Sequence, residues 1–294
     1  MRTLLNAVDL ITLAFVLFLT SITIIFISSV PTSPQLIVRY LLIAGVVIFL
    51  AALDKRNPGV RLFRFTHAFI PILCVLLIFN SLGDLIPGIR HHYYDDILIS
   101  IDFGMFGVHP TVWMERFNNS LLTGLLQAAY ISYYFMPIAL ASVLFIRNRQ
   151  REFETAVFAL LLCFYLSYIG YILFPAVGPR FTLNHLQTMG LKAGPLTAWV
   201  QQSLDGLEQN KTDAFPSGHT AVALVSLFYA GKYREKALFR ILIPSVTALI
   251  ISTVYLRYHY VIDVVAGIVL AAATIIIAPW TQRIFEGSHD RSRG

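Results

Sequence analysis

Residues 255–280 read YLRYHYVIDVVAGIVLAAATIIIAPW, a short polar cluster that runs into a block without a charge from Val264 to Gln282. A helix apolar on every face belongs in a large core or a bilayer, and this block is close to the ~20 residues that cross a hydrocarbon layer. Working outward, similar blocks recur at roughly 10–30, 36–53, 68–86, 121–146, 155–175, 214–231, 240–256 and 260–281. The whole chain of 294 residues is 57% hydrophobic and 13% charged, with a mean hydropathy of +0.70, whereas soluble domains carry about 25% charged residues. An ordinary soluble domain is excluded. The expected fold class is an all-α integral membrane protein of about eight transmembrane helices, because helices satisfy their own backbone in lipid.

Charge then orients the chain. Fifteen of the 22 basic residues fall on the side of the two termini: Arg2, Lys55, Arg56, Arg61, Arg64, Arg147, Arg149, Arg151, Lys232, Arg234, Lys236, Arg240, Arg283, Arg291 and Arg293. The positive-inside rule puts that side, with both termini, in the cytoplasm. The expected location is therefore a cell (inner) membrane, spanned several times. The net charge of +6 is explained by this bias rather than by nucleic-acid binding. Cys74 and Cys163 sit inside apolar blocks, so neither a disulfide framework nor a cysteine metal site follows. The first block is too long for a signal-peptide core and reads as a retained span. On the opposite face, residues 87–120 suit an interfacial segment, and Leu196, Trp199, Val200, Leu204 and Leu207 form one stripe of a short surface helix. Both segments read as membrane-surface lids.

Ionisable residues at membrane depth are costly and usually functional. Three stretches bring them to the non-cytoplasmic face. FPAVGPRF (174–181) breaks the fifth helix and holds Arg180, whose guanidinium can grip phosphate oxygens. FPSGHTA (215–221) opens the sixth with a potential anion site at the free N–H groups of Ser217 and Gly218, and it places His219 in the first turn. YLRYHYVIDVVAG (255–267) carries Arg257 and spaces His259 and Asp263 four apart, so that the carboxylate can fix the histidine tautomer. Alone, each stretch also fits a structural reading: a snorkelling arginine, a capped helix, a packed His–Asp pair. Two histidines, a carboxylate and two arginines on one face are hard to explain as packing. Tyr165, Tyr168, Tyr171, Lys192 and Lys211 could line a substrate entrance, although packing and anchoring explain the tyrosines more simply. His91, His92, Asp95 and Asp96 could ligate a metal, but an interfacial polar loop is the simpler reading.

The ordered set GPR, PSGH and RYHYxxD resembles the three signature motifs of the type-2 phosphatidic acid phosphatase superfamily of membrane lipid phosphatases and phosphotransferases. The resemblance covers about residues 68–281, a six-helix catalytic core, with residues 1–67 an added helix pair and basic loop, and 282–294 a tail. PAVGPR, RYHYVIDVVAG and the preceding DFGMFGVHPTVW are most similar to the inositol phosphorylceramide synthase-like branch. Departures are Leu173 where the family usually has lysine, Phe181 after Arg180, and Thr253 where arginine is usual, with Arg257 one helical turn further on. The resemblance implies a metal-independent reaction without cofactor. His259 would attack phosphorus with Asp263 orienting it, and His219 would protonate the leaving oxygen. Arg180, Arg257, Ser217 and Gly218 would hold the phosphate. The implied substrate is a lipid phosphate, with water or a lipid or polyol hydroxyl as acceptor. A reading of another class is a lipid carrier or scaffold, whose charges would normally sit at mid-membrane in broken helices.

Overall fold

In the computed structural model, residues 4–191 and 210–287 are described. Lys192, the 196–207 stripe, Arg2, Arg291 and Arg293 lie outside the described residues. The chain is helical throughout this part: α1 (Ala7–Ile25), α2 (Ser33–Arg56), α3 (Arg61–Ile89), α4 (Asp95–Phe106), α5 (Pro110–Trp113), α6 (Ser120–Ile146), α7 (Gln150–Leu173), α8 (Pro179–Thr182), α9 (Gly218–Lys232), α10 (Lys236–Tyr255) and α11 (Val261–Gly287). Seven of these, α1, α2, α3, α6, α7, α10 and α11, are long and apolar enough to cross a bilayer. Their outward faces carry large apolar side chains such as Leu17, Leu41, Leu125 and Ile276, each more than 60% exposed, which is the surface that lipid covers.

The sixth expected span, α9, has 15 residues, about 22 Å of helix. It starts at the level of the polar cluster rather than beyond it, so it needs less length to reach the far end. It is buried along most of its length, and Gly267 of α11 passes so close that a Cβ there would lie 2.6 Å from the Ser217 carbonyl. At the basic end, Arg149 bonds Glu235 at 2.5 Å and Arg147 reaches it at 3.0 Å, while Arg64 bonds Gln150 at 2.8 Å. The loops α2–α3, α6–α7 and α9–α10 therefore share one side, as their common charge requires.

α7 is the centre of the bundle, with 72% of its apolar window buried. Of the two N-terminal helices, α1 packs on it and on α3, and α2 packs on α1 and α3. Tyr165 stacks on Phe15 at 4.3 Å and donates to Thr12 at 3.1 Å, and His67 of α3 lies 3.0 Å from both Asp9 of α1 and Asp54 of α2. At the opposite end, α4 and the helical stretch 110–117 are bent by 62°; α4 lies against the start of α11 and the 110–117 stretch against α10.

Candidate active site

The third motif departs from a continuous helix. α10 stops at Tyr255, and the carbonyl of Thr253 accepts from the N–H groups of both Tyr258 and His259, at 2.9 and 3.0 Å. Arg257 takes the left-handed position of this reversal, φ 68°. Its guanidinium bonds the carbonyl of Met189 at 2.9 Å and the side chain of Gln187, and lies 3.7 Å from Glu115. Arg257 does not line the cavity that holds the two histidines; it lines a neighbouring one that Arg180 also borders. One helical turn separates 253 from 257 only if the helix continues, and it does not.

His259 emerges from that reversal with Nδ1 donating to the carbonyl of Ala214 at 2.8 Å. Asp263, in the first turn of α11, is 3.4 Å from the same nitrogen and accepts from the Tyr260 N–H at 2.8 Å. The tautomer is fixed chiefly by a carbonyl, with the carboxylate behind it. Nε2 is left facing Nδ1 of His219 at 3.5 Å. Both rings are buried. His219 is held between Tyr130 and Tyr133 of α6, with ring centroids at 4.6 and 4.2 Å, and Tyr130 stacks in turn on Tyr258 at 4.4 Å.

Arg180 reaches the same place from α8. The turn before it needs a glycine: Gly178 has φ 88°, and a Cβ would lie 2.6 Å from the Tyr258 carbonyl. Asp95 of α4 accepts from the N–H groups of Val177 and Gly178 at 3.0 and 2.9 Å and from the Tyr260 hydroxyl at 2.8 Å. Arg180 then lies over the ring of Tyr258, 5.5 Å from its centroid. Together with Lys211, Asp213 and the two histidines it lines a cavity of about 120 Å³.

The second motif behaves otherwise than expected. The Ser217 N–H donates to the Asp263 carbonyl at 3.0 Å and its hydroxyl accepts from the Thr220 N–H at 3.3 Å, so this residue caps α9 and ties it to α11. The open side of Gly218 is filled by the hydroxyl of Tyr171. Neither residue lines the cavity, and of the four expected phosphate contacts only Arg180 does so. Tyr168 and Tyr171 line a second, apolar cavity of about 190 Å³ between α3, α6 and α7, which touches His219; Tyr165 is a packing residue.

Three carboxylates that the sequence did not single out for this work hold the frame. Asp95 grips the Arg180 turn. Asp102 accepts from the N–H groups of Val261 and Ile262 at 2.8 and 2.9 Å, capping α11 from another helix, and Glu115 accepts from Thr188 at 3.2 Å and from Met189. Asp95 thus has a structural role, while His91 and His92 are exposed. Among the described residues no group of three or more His, Cys, Asp or Glu could hold a metal ion.

A family profile described as the PAP2 superfamily matches residues 102–277, well over half the chain and all of the site. The protein belongs to the PAP2 superfamily. The matched stretch begins within α4 and leaves α1 to α3 outside. A PA-phosphatase related-family protein of Dictyostelium discoideum is 30% identical over 177 residues, 52% of this chain and 31% of that protein. A phosphoinositol dihydroceramide synthase of Bacteroides thetaiotaomicron is 27% identical over 154 residues, 47% of this chain and 50% of that protein. The chain thus aligns with half or less of the length of these relatives. No solved structure matches.

Proposed function

We propose that this PAP2 protein is a lipid-phosphate phosphatase or phosphotransferase that works through a phosphohistidine on His259. The observation that carries this reading is the pair of buried imidazoles 3.5 Å apart on a cavity that also holds Arg180 and Lys211. With its Nδ1 proton directed at Ala214, His259 offers the lone pair of Nε2 to phosphorus. The new N–P bond forms as the ester O–P bond breaks, and His219 gives its proton to the departing alkoxide. In the second step His219 takes a proton from the acceptor hydroxyl, whose oxygen displaces the histidine. Arg180 and Lys211 balance the charge on the equatorial oxygens, which is most of what phosphoryl transfer asks of a protein. Asp263 supports the imidazolium character that His259 gains.

Transfer to a lipid or polyol hydroxyl is the second reading, and it is favoured by the relative named as a phosphoinositol dihydroceramide synthase. The positive-inside bias supports cytoplasmic termini and a site on the non-cytoplasmic face of a cell membrane. The test is a product assay of the purified protein on phosphatidic acid, on isoprenoid diphosphates, and on phosphatidylinositol with ceramide. Free phosphate identifies hydrolysis and a new phospholipid identifies transfer. His259→Ala is expected to abolish both while the protein stays folded, and turnover is expected to persist in EDTA. Loss of turnover in EDTA that a divalent ion restores would overturn the metal-free scheme, and transport retained by His259→Ala would favour a carrier.

A further inference from the structure

The polar cavity and the apolar cavity meet at a seam, and two residues, His219 and Asp213, line both. His219 has a role in the scheme above, and Asp213 enters it only through its charge, which favours the imidazolium of His259. A carboxylate beside phosphate-binding cations weakens their pull on a phosphoryl dianion, a cost that a contact with the substrate would offset. Its position is fixed by the backbone. Residue 213 pairs with Ala176 in an isolated parallel bridge, the next N–H donates to the Ala176 carbonyl at 3.1 Å, and the Ala214 carbonyl holds His259. On the far side of the seam lie Val75 and Phe79 of α3, Ile138 of α6, and Leu160, Leu161 and Phe164 of α7. Walls of that chemistry suit a hydrocarbon chain. A lipid with its phosphate in the polar cavity beside the histidines and its chain between α3, α6 and α7 brings its head-to-chain junction to Asp213. An ionised carboxylate only accepts hydrogen bonds, at about four lone-pair sites.

We propose that Asp213 is a specificity-determining residue, which accepts a hydrogen bond from a donor at the junction of a lipid's phosphate head and its chain, so that the site selects lipids with a hydroxyl or amide N–H there over lipids with only ester or ether oxygens. The inference rests on reading the polar cavity as the phosphate site, and it names the substrate class of that site. The minimal pair of probes is a 1-acyl-2-hydroxy-glycerol 3-phosphate and its 2-O-methyl ether, identical in phosphate and chain and different by one donor.

Affinity is measured by titrating each probe, in detergent, into full-length His259→Ala protein, and kcat/KM is measured with the wild type. The hydroxyl probe is expected to bind about tenfold more tightly than the ether, the effect of one hydrogen bond to a charged acceptor. Adding Asp213→Ala should remove the preference, and Asp213→Asn, which keeps the shape and loses the charge, should reduce it. The Asn variant gives the same comparison if the Ala variant does not fold. Equal binding of the two probes, or a preference that survives both substitutions, overturns the proposal. A merely structural role would lower both affinities together and leave their ratio unchanged, which also overturns it. If the wild type turns over neither probe while the preference depends on Asp213, the catalytic scheme fails and this inference stands. Turnover of both probes at equal kcat/KM and equal affinity overturns this inference and leaves the catalytic scheme standing.

Discussion

At the scale of single residues, His259 is defined by competition between burial and charge. Burial is the larger influence and disfavours the imidazolium, while the Asp213 carboxylate and the hydrogen bond to Ala214 favour it; the balance lies below the ordinary 6.5. On that balance the ring is neutral at pH 7, the state in which the proposed nucleophile keeps its lone pair. It is lost to protonation only as the pH falls through a value under 6.5, so the acid limb of kcat/KM is expected there. The charged and titratable groups around it are Asp213, Asp263 and His219, with Arg180 and Lys211 across the cavity. Asp213→Asn removes a charge that stabilises the imidazolium, so the limb should move to lower pH; an upward move in a pH–rate profile would contradict this account. The two arginines should separate as cleanly. If Arg180 holds the phosphate as proposed, Arg180→Ala is expected to lower kcat/KM by about 10²-fold. Arg257→Ala breaks the bonds to Gln187, Met189 and Glu115, so its effect should be seen first in the melting temperature.

At the scale of elements, the site is assembled by two carboxylates of α4, Asp95 and Asp102, each holding backbone that carries a motif. Asp102 is the clearest case, because α11 starts immediately after the histidine and its first N–H groups have no partner within the helix. Asp102→Ala should cost about 1 kcal/mol, as lost caps do, and should lower kcat by loosening His259. Hydrogen exchange at residues 258–264 reads this directly, and unchanged exchange would show that α4 is only a neighbour. The sequence made the motifs legible because each is local: a broken helix before Arg180, a capped start before His219, an i,i+4 pair at His259. It could not show that α10 ends at Tyr255 and points Arg257 elsewhere, nor that the Ser217 N–H is occupied by Asp263. Those facts depend on contacts between distant segments, and the bonds from Asp95 and Asp102 span 82 to 165 residues. Such pairings leave no period in the sequence. Tyr130 and Tyr133, which clasp His219, lay hidden in an apolar block for the same reason.

At the scale of the whole molecule, the bundle has two chemically different ends, and the order of its helices ties them together. The basic loops meet around Glu235, while the histidines, Arg180 and the carboxylates of α4 gather at the other end. The eight apolar blocks were legible because a lipid-facing helix must be apolar around its circumference. Each became a helix, with α2, α3, α7, α10 and α11 running past their expected bounds at the basic end. α9, the one of these eight helices too short to count as a span by itself, is short because it begins at the depth of the site. If the basic end faces the cytoplasm, a polar probe added outside intact cells should reach the site end alone. Single-cysteine labelling can decide this without removing native thiols, because Cys74 and Cys163 are buried. Asn184→Cys, on an exposed residue beside α8, should react with a membrane-impermeant maleimide applied to whole cells. Arg151→Cys, exposed where α7 leaves the α6–α7 loop, should react only after the membrane is opened. The reverse pattern would place the two histidines on the cytoplasmic side, and a lipid phosphate made there would then reach them without crossing the bilayer.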